Sequence, residues 1–227
     1  MLKDFFSNIR NKILLLPKNK KEEAMRLIFP ALKTWEKIDG DYLEFGIYKG
    51  KSFIEAYKYA EKYGAKNMRF YAFDSFEGLP PVKGKDASYN HFFEGQYSFS
   101  KENFIKILRK NNIDLKRVEI VRGFFGNLLT GDLKNSLAIK RAAIVWIDCD
   151  IYESTVPVLE FITDFISTGT VIVFDDWFSF GADPYAGEMR AAREWLERNK
   201  NIKLEYYRDF GTSGRIFIVQ KFDNKND

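Results

Sequence analysis

Six acidic residues lie within or directly behind short apolar runs. Glu44 lies in Tyr42-Leu-Glu-Phe45, Asp74 follows residues 69–73, and Asp148 follows residues 142–147 with Asp150 two positions on. Asp175 and Asp176 follow residues 170–174. If those runs are strands of one sheet, their ends deliver several carboxylates to the same rim. Like charges gathered that closely repel, and desolvation adds to the cost. Such a cluster calls for something cationic, either a ligand or a metal. The chain has one cysteine, Cys149, and one histidine, His91, so neither a cysteine cage nor a multi-histidine metal site is available. Cys149 itself reads as a small buried apolar residue.

The turn after the first run reads Glu44-Phe-Gly-Ile-Tyr-Lys-Gly-Lys-Ser52. A phosphate-binding G-x-x-x-x-G-K-[ST] loop needs four residues between its glycines, and Gly46 to Gly50 encloses three. The dinucleotide fingerprint fails as well, because Tyr48 occupies a glycine position. What remains is a tight glycine turn ahead of a helix start, whose free N–H groups suit a carboxylate. Asp74, ending the next run, is placed to accept from both hydroxyls of a ribose. A nucleoside joined to an amino-acid tail fits the pair, and S-adenosylmethionine is such a molecule. Its sulfonium is also compatible with nearby acids. Tyr48 and Phe76 could flank it.

These positions presuppose an alternating chain. Residues 42–45, 69–73, 118–121, 142–147 and 170–174 read as buried strands, and residues 52–63, 101–110, 155–166 and 188–199 as helices. That alternation predicts a parallel sheet covered on both faces. Residues 204–208 and 215–220 are joined too tightly for a crossover and should pair antiparallel. Ligands then bind beyond the carboxyl ends of the parallel strands, where the acids lie. Residues 78–100 lack periodicity and hold two prolines and three glycines, which suggests a lid. Upstream, Leu2, Phe5, Phe6, Ile9, Ile13 and Leu16 recur at helical spacing, suiting a docking or dimer-contact helix or a basic membrane-surface helix. Residues 18–21 read as a solvated linker, and residues 22–37 as a second helix. The expected division is a helical appendage, 1–38, and one α/β domain, 39–227.

With 36 Lys+Arg against 32 Asp+Glu the net charge is +4 and well mixed, unlike a nucleic-acid footprint. No apolar run is long enough to span a membrane or serve as a signal-peptide core, so a reducing, cytoplasmic setting is expected.

Several segments resemble the macrocin O-methyltransferase (TylF/MycF) family: Tyr42-Leu-Glu-Phe-Gly46, Asp74-Ser-Phe-Glu-Gly-Leu-Pro80, Ile147-Asp-Cys-Asp-Ile-Tyr-Glu-Ser-Thr155 and Val171-Ile-Val-Phe-Asp-Asp176. The similarity runs from about residue 42 to 195. It implies a Rossmann-like, seven-stranded, mostly parallel sheet with helices on both faces and an antiparallel last strand. It further implies an enzyme that uses S-adenosylmethionine and Mg²⁺ to methylate a sugar hydroxyl. By position, Gly46 would hold the methionine part, Ser52 its carboxylate and Asp74 the ribose. Ser75 and Phe124 would lie near the adenine, and Asp148, Asp175 and Asp176 would ligate Mg²⁺. Glu44 reads either as a hydrogen-bonding acid that orders the cofactor turn or as a structural one. The catechol-type relatives place a lysine three residues after the first metal acid, where this chain has Ile151. Asp148, Asp150 or His91 are the candidate bases. Trp177, Phe178, Phe180 and Tyr185 suit either a wall for a sugar ring or a satellite of the core. The acceptor is expected to be a sugar or glycosylated small molecule. A catechol-like diol and a non-catalytic cofactor-binding role are the rivals, and a homodimer is possible.

Overall fold

A computed structural model describes Pro17 and residues 19–222. The expected helix over residues 2–16 lies outside the described residues. Among the described residues, eight α-helices and seven strands follow one another as α1 (Lys20–Thr34), β1 (Asp41–Phe45), α2 (Lys51–Tyr63), β2 (Phe70–Asp74), α3 (Gly84–Ala87), α4 (Lys101–Lys110), β3 (Val118–Arg122), α5 (Phe125–Leu128), α6 (Gly131–Ser136), β4 (Ala142–Ile147), α7 (Tyr152–Ile162), β5 (Val171–Phe174), α8 (Gly187–Arg198), β6 (Ile202–Phe210) and β7 (Gly214–Lys221), with a short 3-10 helix, Leu115–Arg117, ahead of β3.

The seven strands form one sheet in the order β3-β2-β1-β4-β5-β7-β6. β1 to β5 are mutually parallel, and β7 runs antiparallel between β5 and β6. Every residue of β1, β4 and β5 is buried, as expected for parallel strands covered on both sides. Alternate side chains feed two cores. Tyr42, Trp146 and Val173 pack with α1, α2 and α4, while Phe45, Ile147 and Phe174 pack with α7 and α8.

Two sequence expectations change here. Of the linker expected over residues 18–21, the described residues 19–21 belong to the start of a helix, because Lys20 and Lys21 open α1 behind the N-cap Asn19, whose side chain accepts from the Lys21 and Glu22 N–H groups. The stripe Ala24, Met25, Ile28, Phe29 and Leu32 buries α1 in the same core as α2. The other change concerns α7, which starts at Tyr152, earlier than its periodicity indicates, so Pro157 falls beyond the first turn. The reason is a cap supplied from far away, since Asp86 accepts from the Tyr152 N–H at 2.7 Å. Segment 78–100 is tied down too, with Leu79 N–H donating to Gln96 O and Gly95 N–H to Leu79 O, both at 2.9 Å.

Candidate active site

The ladder runs one step past the strand ends. Gly46 N–H donates to Phe73 O, Asp148 N–H to Phe45 O and Asp175 N–H to Ile147 O, each at 2.9 Å. These bonds set Asp74, Gly46, Asp148 and Asp175 at the carboxyl edge of four successive strands. A cleft of about 660 Å³ opens above them. Gly46, Tyr48, Ser52, Asp74, Ser75 and Phe124 line one part, and Asp148, Asp150, Asp175 and Asp176 line another.

Gly46 has φ +88°, and a Cβ there would lie 1.9 Å from the Asp148 carbonyl oxygen. Only glycine permits this approach. Asp74 braces the same turn: one oxygen accepts from Ile47 N–H at 2.6 Å and Tyr48 N–H at 3.2 Å, the other from Phe76 N–H at 2.6 Å. Burial raises its pKa, against the pull of those three donors. Ser75 closes the neighbouring turn by donating to Gly78 O at 2.8 Å. Gly50 begins α2 in a left-handed conformation without a side-chain cap, which leaves the first amides of the helix available to a ligand.

Glu44 lies beneath this turn, fully buried, and does not line the cleft. It accepts from the Tyr42 and Ser52 hydroxyls. Burial pushes its pKa up to about 7, opposed by those two hydrogen bonds and by Lys21. Glu44 is thus connected to the cleft through Ser52, whose hydroxyl donates to it.

At the acidic corner, carboxylate oxygens of Asp148, Asp150 and Asp176 lie within 4.8 Å of one another. Asp175 turns elsewhere. Its Oδ2 meets Lys20 Nζ at 2.6 Å and Lys21 Nζ at 2.8 Å. Lys21 Nζ also meets Asp148 Oδ2 at 2.5 Å. Burial disfavours the Lys21 ammonium, but Asp148 and Asp175 outweigh it and raise its pKa. Burial also raises Asp148, Asp150 and Asp176, and repulsion from neighbouring acids, Asp175 among them, adds to each shift. Behind them the buried Glu188 accepts from Asp176 N–H at 3.0 Å and Cys149 N–H at 3.5 Å, joining the two acid-bearing turns. Asp176 Oδ2 and Asp175 Oδ1 are buried without a hydrogen-bond partner among the described residues. Orphaned acceptors in a convergent oxygen cluster fit a hard divalent cation such as Mg²⁺.

His91 does not line this cleft: it is exposed, and its ring lies among Tyr89, Phe92 and Phe180. The segment lines the cleft with residues 78–81, Lys83, Gln96 and Tyr97 instead, the Tyr97 ring packing edge-on to Tyr48 at 5.5 Å. Trp177 and Phe180 are core satellites, on Phe174 and Phe217 and on Tyr89 and Phe92 respectively. Phe76 packs on Phe104 and is also absent from the lining.

The family model of macrocin O-methyltransferase (TylF) matches residues 25–204. The chain belongs to this family. A similar curated relative is the 8-demethyl-8-(2,3-dimethoxy-alpha-L-rhamnosyl)-tetracenomycin-C 4'-O-methyltransferase of Streptomyces olivaceus, 27% identical over 145 residues, covering 62% of this chain and 54% of the relative. The chain spans about half the length of the curated relatives it matches. Among solved structures, the O-methyltransferase NovP superposes with TM-score 0.72 at 20% identity, over 90% of this chain and 80% of that one. TomG from Streptomyces achromogenes, solved in complex with SAM, superposes with TM-score 0.59 at 14% identity, over 88% of this chain and 80% of that one. Both show the shared Rossmann-like fold. Among this macrocin O-methyltransferase relative's described residues, no helix is long and apolar enough to cross a membrane.

Sequence reasoning missed Lys20, Lys21, Tyr97 and Glu188. Only Glu188 carried a local signal, in the family-like segment Gly187-Glu-Met-Arg-Ala-Ala192.

Proposed function

We propose that this protein is an S-adenosylmethionine- and Mg²⁺-dependent O-methyltransferase acting on a hydroxyl of a sugar or glycosylated small molecule. One observation carries the reading: a glycine turn braced by Asp74 and a convergent acid cluster share a single cleft. Family membership and the sugar O-methyltransferase named among the relatives support the acceptor class.

When bound, S-adenosylmethionine supplies an electrophilic methyl group, and Mg²⁺ lowers the pKa of an acceptor hydroxyl. The chain's residues do the rest. The turn at Gly46 admits the methionine part against backbone, and the first amides of α2 meet its carboxylate. Asp74 accepts from the ribose hydroxyls with its remaining lone pairs. Ser75 and Phe124 line the adenine end. The acids of the corner would hold the cation, and Asp148 or Asp150 would take the hydroxyl proton. Tyr97 and Gln96 line the cleft and would help to exclude water from it.

The test is a panel of glycosides, with catechol-like diols alongside, incubated with S-adenosylmethionine and read by mass spectrometry for one added methyl group. Turnover should stop with EDTA and return with Mg²⁺. Undiminished turnover in EDTA refutes the metal role, and failure to bind S-adenosylmethionine by calorimetry refutes the whole reading.

A further inference from the structure

The wall of the cleft is basic as well as acidic. Lys20, Lys21, Lys49, Lys51 and Lys83 line it, and among the described residues no arginine does. Lys20 and Lys21 are already paired. Lys20 rests on Asp175 at 2.6 Å, and Lys21 on Asp148 at 2.5 Å and Asp175 at 2.8 Å. Lys49, Lys51 and Lys83 form no ion pair with any described residue.

Two elements present these unpaired ammonium groups. Lys49 and Lys51 flank Gly50, whose left-handed φ of +69° begins α2, and Lys49 Nζ stands 4.9 Å from the centre of the Tyr48 ring. Lys83 comes from segment 78–100, between two ties. On one side Leu79 is bonded to Gly95 and Gln96, and on the other Asp86 accepts from the Tyr152 and Gly187 N–H groups that open α7 and α8. All three lysines are exposed.

The methyl donor and a divalent ion do not neutralise them. A sulfonium and a metal ion add positive charge, and the carboxylate of the methionine part is offset by its own ammonium. Glu153 is the one acid of the lining apart from Asp74 and the acidic corner, so it offsets one lysine of the three. The wall facing the acceptor stays positive and draws anions into the cleft. Separate ammonium groups act as point charges, which suits a phosphate with its charge spread over several oxygens. The planar guanidinium fork that reads a lone carboxylate is missing from the lining.

We propose that the acceptor is a phosphate-bearing sugar, its phosphate held by Lys83 together with Lys49 or Lys51. The phosphate is held and not changed. The bond that forms still joins the sugar hydroxyl oxygen to the methyl carbon, and the electron pair of the broken bond returns to sulfur. This inference rests on the methyl-transfer reading above and narrows its acceptor class. Sugar phosphates and nucleoside diphosphate sugars share the chemistry, and the experiment separates them.

The experiment uses the full chain saturated with S-adenosylhomocysteine, in EDTA so that no added metal bridges phosphate to the corner acids. Three probes carry one sugar: methyl glucoside, glucose 1-phosphate and UDP-glucose, with Kd read by ligand-observed NMR titration. Glucose 1-phosphate should bind about tenfold tighter than methyl glucoside, the worth of one charge-assisted bond. Lys83→Gln should remove about that factor from both phosphate-bearing probes, leave methyl glucoside unchanged, and be rescued by Lys83→Arg. Raising the ionic strength from about 0.05 M to about 0.5 M should weaken the phosphate-bearing probes alone. UDP-glucose tighter than glucose 1-phosphate assigns a nucleoside diphosphate sugar, and equal affinity of the two assigns a sugar phosphate. Phosphate-bearing probes that bind no tighter than methyl glucoside, or that are indifferent to Lys83→Gln, overturn the proposal and leave methyl transfer standing. Failure of the wild-type chain to bind S-adenosylhomocysteine sinks both.

Discussion

Replacing Asp74 by asparagine separates its two roles. Both edges of the carboxylate face N–H donors, those of Ile47 and Tyr48 on one side and that of Phe76 on the other. An asparagine must turn its own NH₂ toward one of these edges, whichever way it flips. At least one charge-assisted bond is lost on folding, worth about 1.5–3 kcal/mol. For a chain of this size that lowers Tm by about 2–4 °C per kcal/mol, so a fall of about 3–12 °C is expected. If ribose hydroxyls also donate to Asp74, cofactor binding loses a second charge-assisted bond. The same 1.5–3 kcal/mol then weakens Kd about 10- to 150-fold. Thermal unfolding reads the first effect, and calorimetry with S-adenosylmethionine and its demethylated product reads the second. A Kd within threefold of wild type, alongside a lowered Tm, would show that Asp74 only braces the turn.

Three other outcomes can be checked. Glu44 has its pKa raised from 4.5 to about 7, so its stabilising contribution is fully present below pH 4.5 and is lost as pH rises through 7. That corresponds to about 3 kcal/mol, and Glu44→Gln should flatten this part of the pH dependence in denaturant titrations between pH 5 and 8. Because Asp148, Asp150 and Asp176 are all shifted upward, divalent-ion binding must expel protons and tighten with rising pH. Calorimetry in buffers of different ionisation enthalpy measures this, and binding without proton release at pH 6 would contradict it. Asp86→Ala removes the acceptor of Tyr152 N–H at 2.7 Å and Gly187 N–H at 3.0 Å. Orphaning two helix-start donors should cost about 2–4 kcal/mol, and a Tm change under 1 °C would dismiss the double cap.

What the chain reveals by eye follows from the range of each interaction. Residues 142–147 and 101–110 match β4 and α4 at both ends, because buried strand and amphipathic helix are local patterns. The acids at the strand ends are legible for the same reason, since topology alone brings them together. Lys20 and Lys21 are not legible, because their partners Asp175 and Asp148 lie 155 and 127 residues away, respectively, and nothing local separates them from solvated lysines. Asp86 fails in the same manner, capping α7 from 66 positions upstream. His91 drew attention through chemistry alone. Tyr97, held in the left-handed region at φ +64°, reaches the cleft because the tied base of the segment aims it there.

The contact between Gly46 and Asp148 makes one partition serve two compartments. The methyl donor would rest on one side of it and the cation on the other, with no layer of side chains between. Any residue larger than hydrogen at position 46 moves both compartments together. On the proposed reading, remodelling acceptor choice would therefore have to work from the far rim, through residues such as Gln96 and Tyr97, where the cleft could be reshaped without disturbing the Gly46–Asp148 contact.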